Sequence, residues 1–140
     1  MICESSGPGE GVRAVIAHIR QTYGVEPDYL WHDDSAAFRH LQDKRWFAVL
    51  MPGLPRERLA LPGGGRVDVL NVKCDPVMIP SLIDGRGVLP GYHMNKEHWI
   101  TLTLDGAVPQ DKLAALIGMS FDLTTKKRRA LRQGEEHGNV

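Results

Sequence analysis

The chain has 140 residues, of which 42% are hydrophobic, and this length and composition predict one domain with a substantial core. Its 17 basic and 17 acidic side chains give no net charge, which argues against a strong electrostatic binder of nucleic acid because such domains are usually basic. No apolar run approaches the roughly 20 residues of a membrane span, and residues 1–10 lack the regions of a signal peptide. We therefore expect a monomeric, cytoplasmic protein without membrane association.

The two cysteines, Cys3 and Cys74, are expected to be reduced thiols. Neither has the spacing to a second thiolate or histidine that a zinc site requires. We therefore predict that the domain folds without a metal and carries no cofactor.

The first third of the chain predicts a helix followed by a hairpin. Residues 11–23 place apolar side chains at spacings of three and four, typical of a helix with one face on a core, and Gly24 ends it. Residues 26–35 read as a loop, which Tyr29, Leu30 and Trp31 are expected to anchor to the domain. Residues 36–40 and 45–51, rich in aromatic and β-branched side chains, predict two paired strands.

The middle of the chain predicts a loop and then a strand with two different faces. Residues 52–65 are mainly loop, with a short edge strand expected at 58–61, and glycines 63–65 read as a plain turn because the lysine and helix of a phosphate-binding loop are missing. Residues 66–74 alternate, with Cys74 on the apolar face. Asn71 and Lys73 are predicted on an open face of the sheet.

The last part of the chain predicts the remaining elements. After Asp75 and Pro76 an irregular turn should become helical at residues 80–84, because Pro80 disturbs a helix begun earlier. Residues 97–104 alternate as a strand that turns Trp99, with Thr101 and Thr103, toward the open face. Residues 109–118 predict a helix, followed by a second short apolar piece at 119–123.

This order, α-β-β-β-α-β-β-α, predicts an α+β fold: a two-layer sandwich in which helices pack on one face of an antiparallel sheet. The predicted boundaries are a flexible N-terminus at residues 1–10, a single domain at 11–128 and a flexible tail at 129–140. The first 35 residues are acidic in balance, and the end of the chain, including the run at 126–129, is basic.

Two segments carry a recognisable signature. Residues 71–76 read Asn-Val-Lys-Cys-Asp-Pro, and residues 91–99 read Gly-Tyr-His-Met-Asn-Lys-Glu-His-Trp. Both resemble the signature of the MmcQ/YjbR family of small bacterial proteins, and the resemblance extends over roughly residues 11–128. It implies a compact α/β fold with an antiparallel sheet and a role in binding DNA, and it supplies no catalytic residue.

The leading interpretation is a non-enzymatic DNA-binding domain with weak sequence specificity that uses the open sheet face. Lys73, Lys96, Arg39 and Arg45 are predicted to contact phosphate, and Trp99 or Tyr92 to stack on bases. The predicted site consists of Arg39, Arg45, Asn71, Lys73, Tyr92, His93, Asn95, Lys96 and Trp99.

Other interpretations of the same residues remain open. A protein-interaction module whose open face takes a peptide or partner fits the neutral net charge. An enzyme using Cys74 with His93 or His98 requires a reactive thiol, yet alternation turns Cys74 inward, where thiols are usually inert. The two histidines are predicted to be structural, because their five-residue separation matches no common metal site.

Overall fold

The computed structural model describes residues 9–31 and 33–125. In chain order it contains α1 (Glu10–Tyr23), β1 (Ala36–Arg39), β2 (Trp46–Pro55), β3 (Arg66–Lys73), α2 (Ile79–Leu82), β4 (Val88–Pro90), β5 (Trp99–Thr103) and α3 (Gln110–Thr124). The predicted order of elements is confirmed. Four expectations concern residues outside this description: those for Cys3, the basic run at 126–129, the flexible tail and most of the flexible N-terminus.

The strands of the described chain form one antiparallel sheet in the order β1-β2-β3-β5-β4. Strand β4 forms an edge, and β5 lies between β4 and β3. The first signature segment begins on β3 and the second ends on β5, so the two segments meet on neighbouring strands. None of the helices in residues 9–31 and 33–125 is long and apolar enough to cross a bilayer.

Helices α1 and α3 pack on one side of the sheet, here called the helix side. Val12, Val15 and Ile19 form the buried stripe of α1, at the predicted spacing. The helix ends at Gly24, which has a left-handed φ of 68° and donates its N–H to Arg20 O. Other main members of this core are Phe38, Phe47, Leu50, Leu70, Val72, Ile100, Leu102, Leu116 and Ile117.

Helix α3 is one continuous helix, whereas two pieces were predicted at residues 109–118 and 119–123. Ser120, just after the expected break between residues 118 and 119, is fully buried. Its Oγ accepts a hydrogen bond from Lys73 N at 2.8 Å and donates one to Phe47 O at 2.5 Å. Packing against the ends of β2 and β3 therefore carries the helix through a stretch whose local sequence favours an end.

The opposite side of the sheet, here called the outer side, is covered at three of the five residues that were predicted on its open face, whereas Lys73 and Trp99 remain half-buried. Asn71 and Thr101 are 0% exposed and Thr103 is 1% exposed. A 3₁₀ turn, Arg56–Leu59, replaces the edge strand expected at residues 58–61 and folds over this side. It contributes to a second cluster of buried apolar residues, the outer cluster, which consists of Leu59, Leu61, Val67, Val69 and Leu89.

Candidate functional site

The two signature segments meet where β3 and β5 lie side by side. Lys73, the last residue of β3, pairs directly with Trp99, the first residue of β5. Just beyond this pair, Cys74 N donates to His98 O at 2.7 Å. Side chains of directly paired residues share a side of the sheet, so Lys73 and Trp99 both lie on the outer side.

A buried hydrogen-bond network fixes the second segment to the sheet. Thr101 Oγ1 accepts from Tyr92 N at 2.8 Å and donates to Asn71 Oδ1. The amide of Asn71 completes the network by donating from Nδ2 to Tyr92 O at 3.3 Å. The prediction that Asn71 lies on an open face is therefore wrong, because its side chain is buried and its polar atoms hold Thr101 and the backbone of Tyr92.

The loop between β4 and β5 is a tightly specified turn. Asn95 Oδ1 accepts from Glu97 N at 2.9 Å, and Asn95 O accepts from His98 N and Trp99 N. A Cβ at Gly91 would lie 2.8 Å from Trp99 O, so this close approach requires glycine. The side chain of Asn95 is exposed but shapes the turn, and a role in binding is not needed to explain it.

Four predicted site residues present side-chain surface on or beside the outer side. Lys96 and His93 are exposed on the loop, and Trp99 and Lys73 are half-buried. Lys73 Nζ lies 6.0 Å from the centroid of the Trp99 ring, at the limit of a cation–π contact. The ring of Tyr92 is also half-buried and contacts both the outer cluster and the ring of His93.

The two predicted arginines are both ion-paired. Arg39 Nη2 pairs with Asp28 Oδ2, and Arg45 Nε lies 3.4 Å from Asp43 Oδ2. A phosphate would have to compete with these carboxylates. The net attraction that Arg39 and Arg45 offer is therefore smaller than their formal charges indicate.

The chemistry that an enzyme would need is not assembled around Cys74. The thiol is 1% exposed, as alternation predicted, and burial raises its pKa away from the thiolate form. Its link to His98 runs through the backbone. In residues 9–31 and 33–125 no three His, Cys, Asp or Glu side chains gather as metal ligands do. Metal-free folding nevertheless stays a prediction.

Trp31 and Trp46, which are not among the predicted site residues, also lie on the outer side of the sheet. Arg39 pairs with Trp46 across the first strand pair, while Phe38 pairs with Ala48, so Phe47 is an extra residue in a β-bulge. Strict alternation would turn Trp46 toward the helix side with Ala48, but the bulge reverses it. The ring of Trp31 lies 5.5 Å from that of Trp46 and is 40% exposed, where an anchoring residue was expected.

The comparison with protein families is decisive, because a sequence profile of the YjbR family matches residues 20–123. The chain belongs to the YjbR family. That span includes both signature segments and every predicted site residue. The Asn71–Thr101–Tyr92 network and the Lys73–Trp99 pair thus lie within the part of the chain that the YjbR profile recognises.

Individual relatives agree with the YjbR assignment. YyaQ of Bacillus subtilis, described only as an uncharacterised protein, is 42% identical over 112 residues, which cover 79% of this chain and 94% of YyaQ. A crystal structure from Pseudomonas syringae has a TM-score of 0.77 at 39% identity, covering 81% of this chain and 97% of that one. A Deinococcus radiodurans crystal structure has a TM-score of 0.58 at 26% identity, with coverage of 83% and 79%.

Proposed function

We propose that the protein is a non-enzymatic nucleic-acid-binding domain with weak sequence specificity, and that DNA is its ligand. The observation that carries the proposal is the Lys73–Trp99 pair on the outer side of the sheet, with Lys96 and His93 exposed on the adjoining loop. An indole face with cations beside it suits an unpaired base and its phosphates. The proposal includes the cytoplasmic location and monomeric state expected from the sequence.

The charge of the molecule determines how strongly we expect it to bind nucleic acid. The chain has no net charge, and the proposal takes Lys73, beside Trp99, and Lys96, on the adjoining loop, as the main phosphate contacts. Two contacts to a single strand give a slope of about −1.4 in log affinity against log salt. Dissociation constants in the range of non-specific binding, about 10⁻⁴ to 10⁻⁶ M, follow from so few contacts.

The test uses fluorescence anisotropy of a labelled single-stranded oligonucleotide at several salt concentrations. Replacing both cations, Lys73→Ala with Lys96→Ala, should flatten the salt slope by up to about 1.4 units with little dependence on sequence. Trp99→Ala should instead cost roughly 1 to 3 kcal/mol of binding free energy with a small change in slope. The matched control is Lys112→Ala, an exposed lysine on α3.

Circular dichroism first has to show that every variant is folded. Absence of binding by the unchanged protein at low salt would refute the proposal. Equal effects of Lys112→Ala and the Lys73, Lys96 replacement would refute the location of the site, because α3 packs on the helix side.

A protein or peptide ligand is a second candidate, favoured by one observation. Tyr29 and Leu30, on the loop before β1, are 56% and 44% exposed although the sequence predicted that they anchor this loop. Exposed neighbouring apolar side chains are typical of contact surfaces. Binding of this kind should be insensitive to salt and weakened by Leu30→Asp, whereas Lys96→Ala should leave it unchanged.

A further inference from the structure

Trp31 and Trp46 form an aromatic pair outside both apolar clusters. Their rings meet edge to face, with centroids 5.5 Å apart and planes at 76°. Trp46 is half-buried, and Trp31 keeps 40% of its surface exposed. Large indole surfaces are usually covered unless they serve a contact.

The loop that carries Trp31 is held in place by its own contacts with β1. Asp28 exchanges both backbone hydrogen bonds with Ala37, at 2.9 Å each, and its carboxylate pairs with Arg39. Trp31 follows three residues later. Its position beside Trp46 thus rests on an anchored backbone as well as on the ring contact.

Trp46 and Trp99 lie at the same end of the sheet, and Lys73 lies at that end of the strand between them. Trp46 begins β2, Lys73 ends β3 and Trp99 begins β5, and these three strands are neighbours in that order. The side chains of all three are on the outer side, Trp46 because of the bulge. Paired strands are spaced by about 4.8 Å, and β2 and β3 separate beyond the pair Ala48 and Val72, so β2 and β5 are at least about 10 Å apart at this end.

We propose that Trp31 and Trp46 form a second base-stacking site, so that the ligand of the outer side is single-stranded nucleic acid that reaches from Trp99 to the Trp31–Trp46 pair. This inference rests on the proposed function. Unpaired bases offer faces to aromatic side chains, whereas the bases of a duplex are stacked on one another. Lys73 between the two aromatic positions suits the phosphates that join the stacked bases, and Arg39 adds a cation beside Trp46.

The test compares a thymidine oligonucleotide of about 12 residues, one of about 4, and a duplex of about 12 base pairs, a range that covers known single-strand site sizes. Trp31→Ala should weaken binding of the long single strand about 5- to 100-fold, as expected for one lost stacking contact. Binding of the short strand, held at Trp99, should change less than threefold. Trp31→Phe should recover most of the affinity because it keeps an aromatic face.

Tyr29→Ala is the matched control, since Tyr29 is 56% exposed on the same loop, whereas the ring of Trp31 lies against Trp46. It should leave binding of the long strand unchanged. Equal losses for Tyr29→Ala and Trp31→Ala would show that the loop as a whole matters, which overturns the stacking site.

The outcomes separate this inference from the proposal beneath it. If Trp99→Ala weakens binding and Trp31→Ala does not, the nucleic-acid function stands and the second stacking site is wrong. A duplex that binds as tightly as the long strand would overturn the single-strand assignment alone. If the unchanged protein binds neither ligand at low salt, both proposals fail. Binding of a protein or peptide by the exposed loop is then the remaining candidate.

Discussion

His40 is a buried titratable residue, 6% exposed, whose imidazole lies against the rings of Phe47 and Phe121. Its Nε2 lies 2.8 Å from Thr124 Oγ1, which donates its proton to Ser120 O. Nε2 is therefore the donor in this hydrogen bond, and burial of the ring disfavours the charged imidazolium. Burial lowers the pKa of His40 below its ordinary value near 6.5.

This pKa shift makes stability depend on pH. Because the pKa is lower in the folded than in the unfolded state, the contribution of His40 is complete above about pH 6.5. It is lost as the pH falls from there toward the folded-state pKa, at about 1.4 kcal/mol for each unit of difference. In His40→Gln, which does not titrate, this part of the acid destabilisation should disappear.

Melting temperatures between about pH 5 and pH 8 measure the effect, with His18→Gln on α1 as the control. The control should keep the acid sensitivity of the unchanged protein. An equally steep loss of stability in His40→Gln would assign the acid sensitivity to other groups.

At the scale of elements, Ser120 acts as a connector between α3 and the sheet. The ends of β2 and β3 separate beyond the pair Ala48 and Val72, and the hydroxyl of Ser120 takes up one N–H and one C=O there. An alanine would leave both backbone groups buried without a partner, at about 1 to 3 kcal/mol each.

We therefore expect Ser120→Ala to destabilise the domain by about 2 to 6 kcal/mol, measured by urea unfolding at constant m-value. Ser81→Ala is the control, because Ser81 is exposed and its hydroxyl donates only to Met78 O. A loss below about 1 kcal/mol for Ser120→Ala would mean that water replaces the hydroxyl or that the strands close the gap.

Most elements were predictable because their signals are local: the apolar stripe of α1, the alternation of β3 and β5, and the glycine that ends α1. The side on which Asn71 lies was also predictable. Its burial was not, because the groups that cover it come from Tyr92 and Thr101 in distant parts of the chain. The bulge at Phe47 likewise depends on strand pairing, which alternation alone does not reveal.

At the scale of the whole molecule, part of the balance between positive and negative charge lies in ion pairs around the proposed interface. Asp28 pairs with Arg39, the cation beside Trp46, and thereby holds part of the positive charge of the outer side. If nucleic acid binds there, its phosphates compete with this carboxylate. Removing the charge of Asp28 should release Arg39 for binding.

Asp28→Asn should therefore tighten binding of a single strand at low salt and steepen the salt slope by about 0.7, the value of one additional phosphate contact. Anisotropy titrations at several salt concentrations measure it. Asp34→Asn, on the exposed part of the same loop, changes the net charge equally without touching Arg39. Equal slopes for the two variants would show that Arg39 is not part of the interface.

The positions of the tryptophans mean that fluorescence and circular dichroism report on different sides of the sheet. The sequence contains three tryptophans, Trp31, Trp46 and Trp99, and all of them lie on the outer side. The core between the sheet and the helices holds phenylalanine, aliphatic side chains and Cys74, with the ring of Tyr23 packed against it. Tryptophan emission thus senses one side of the sheet, and far-ultraviolet dichroism is dominated by helices on the other. Melting curves recorded by the two signals will superimpose only if both sides come apart in one cooperative step.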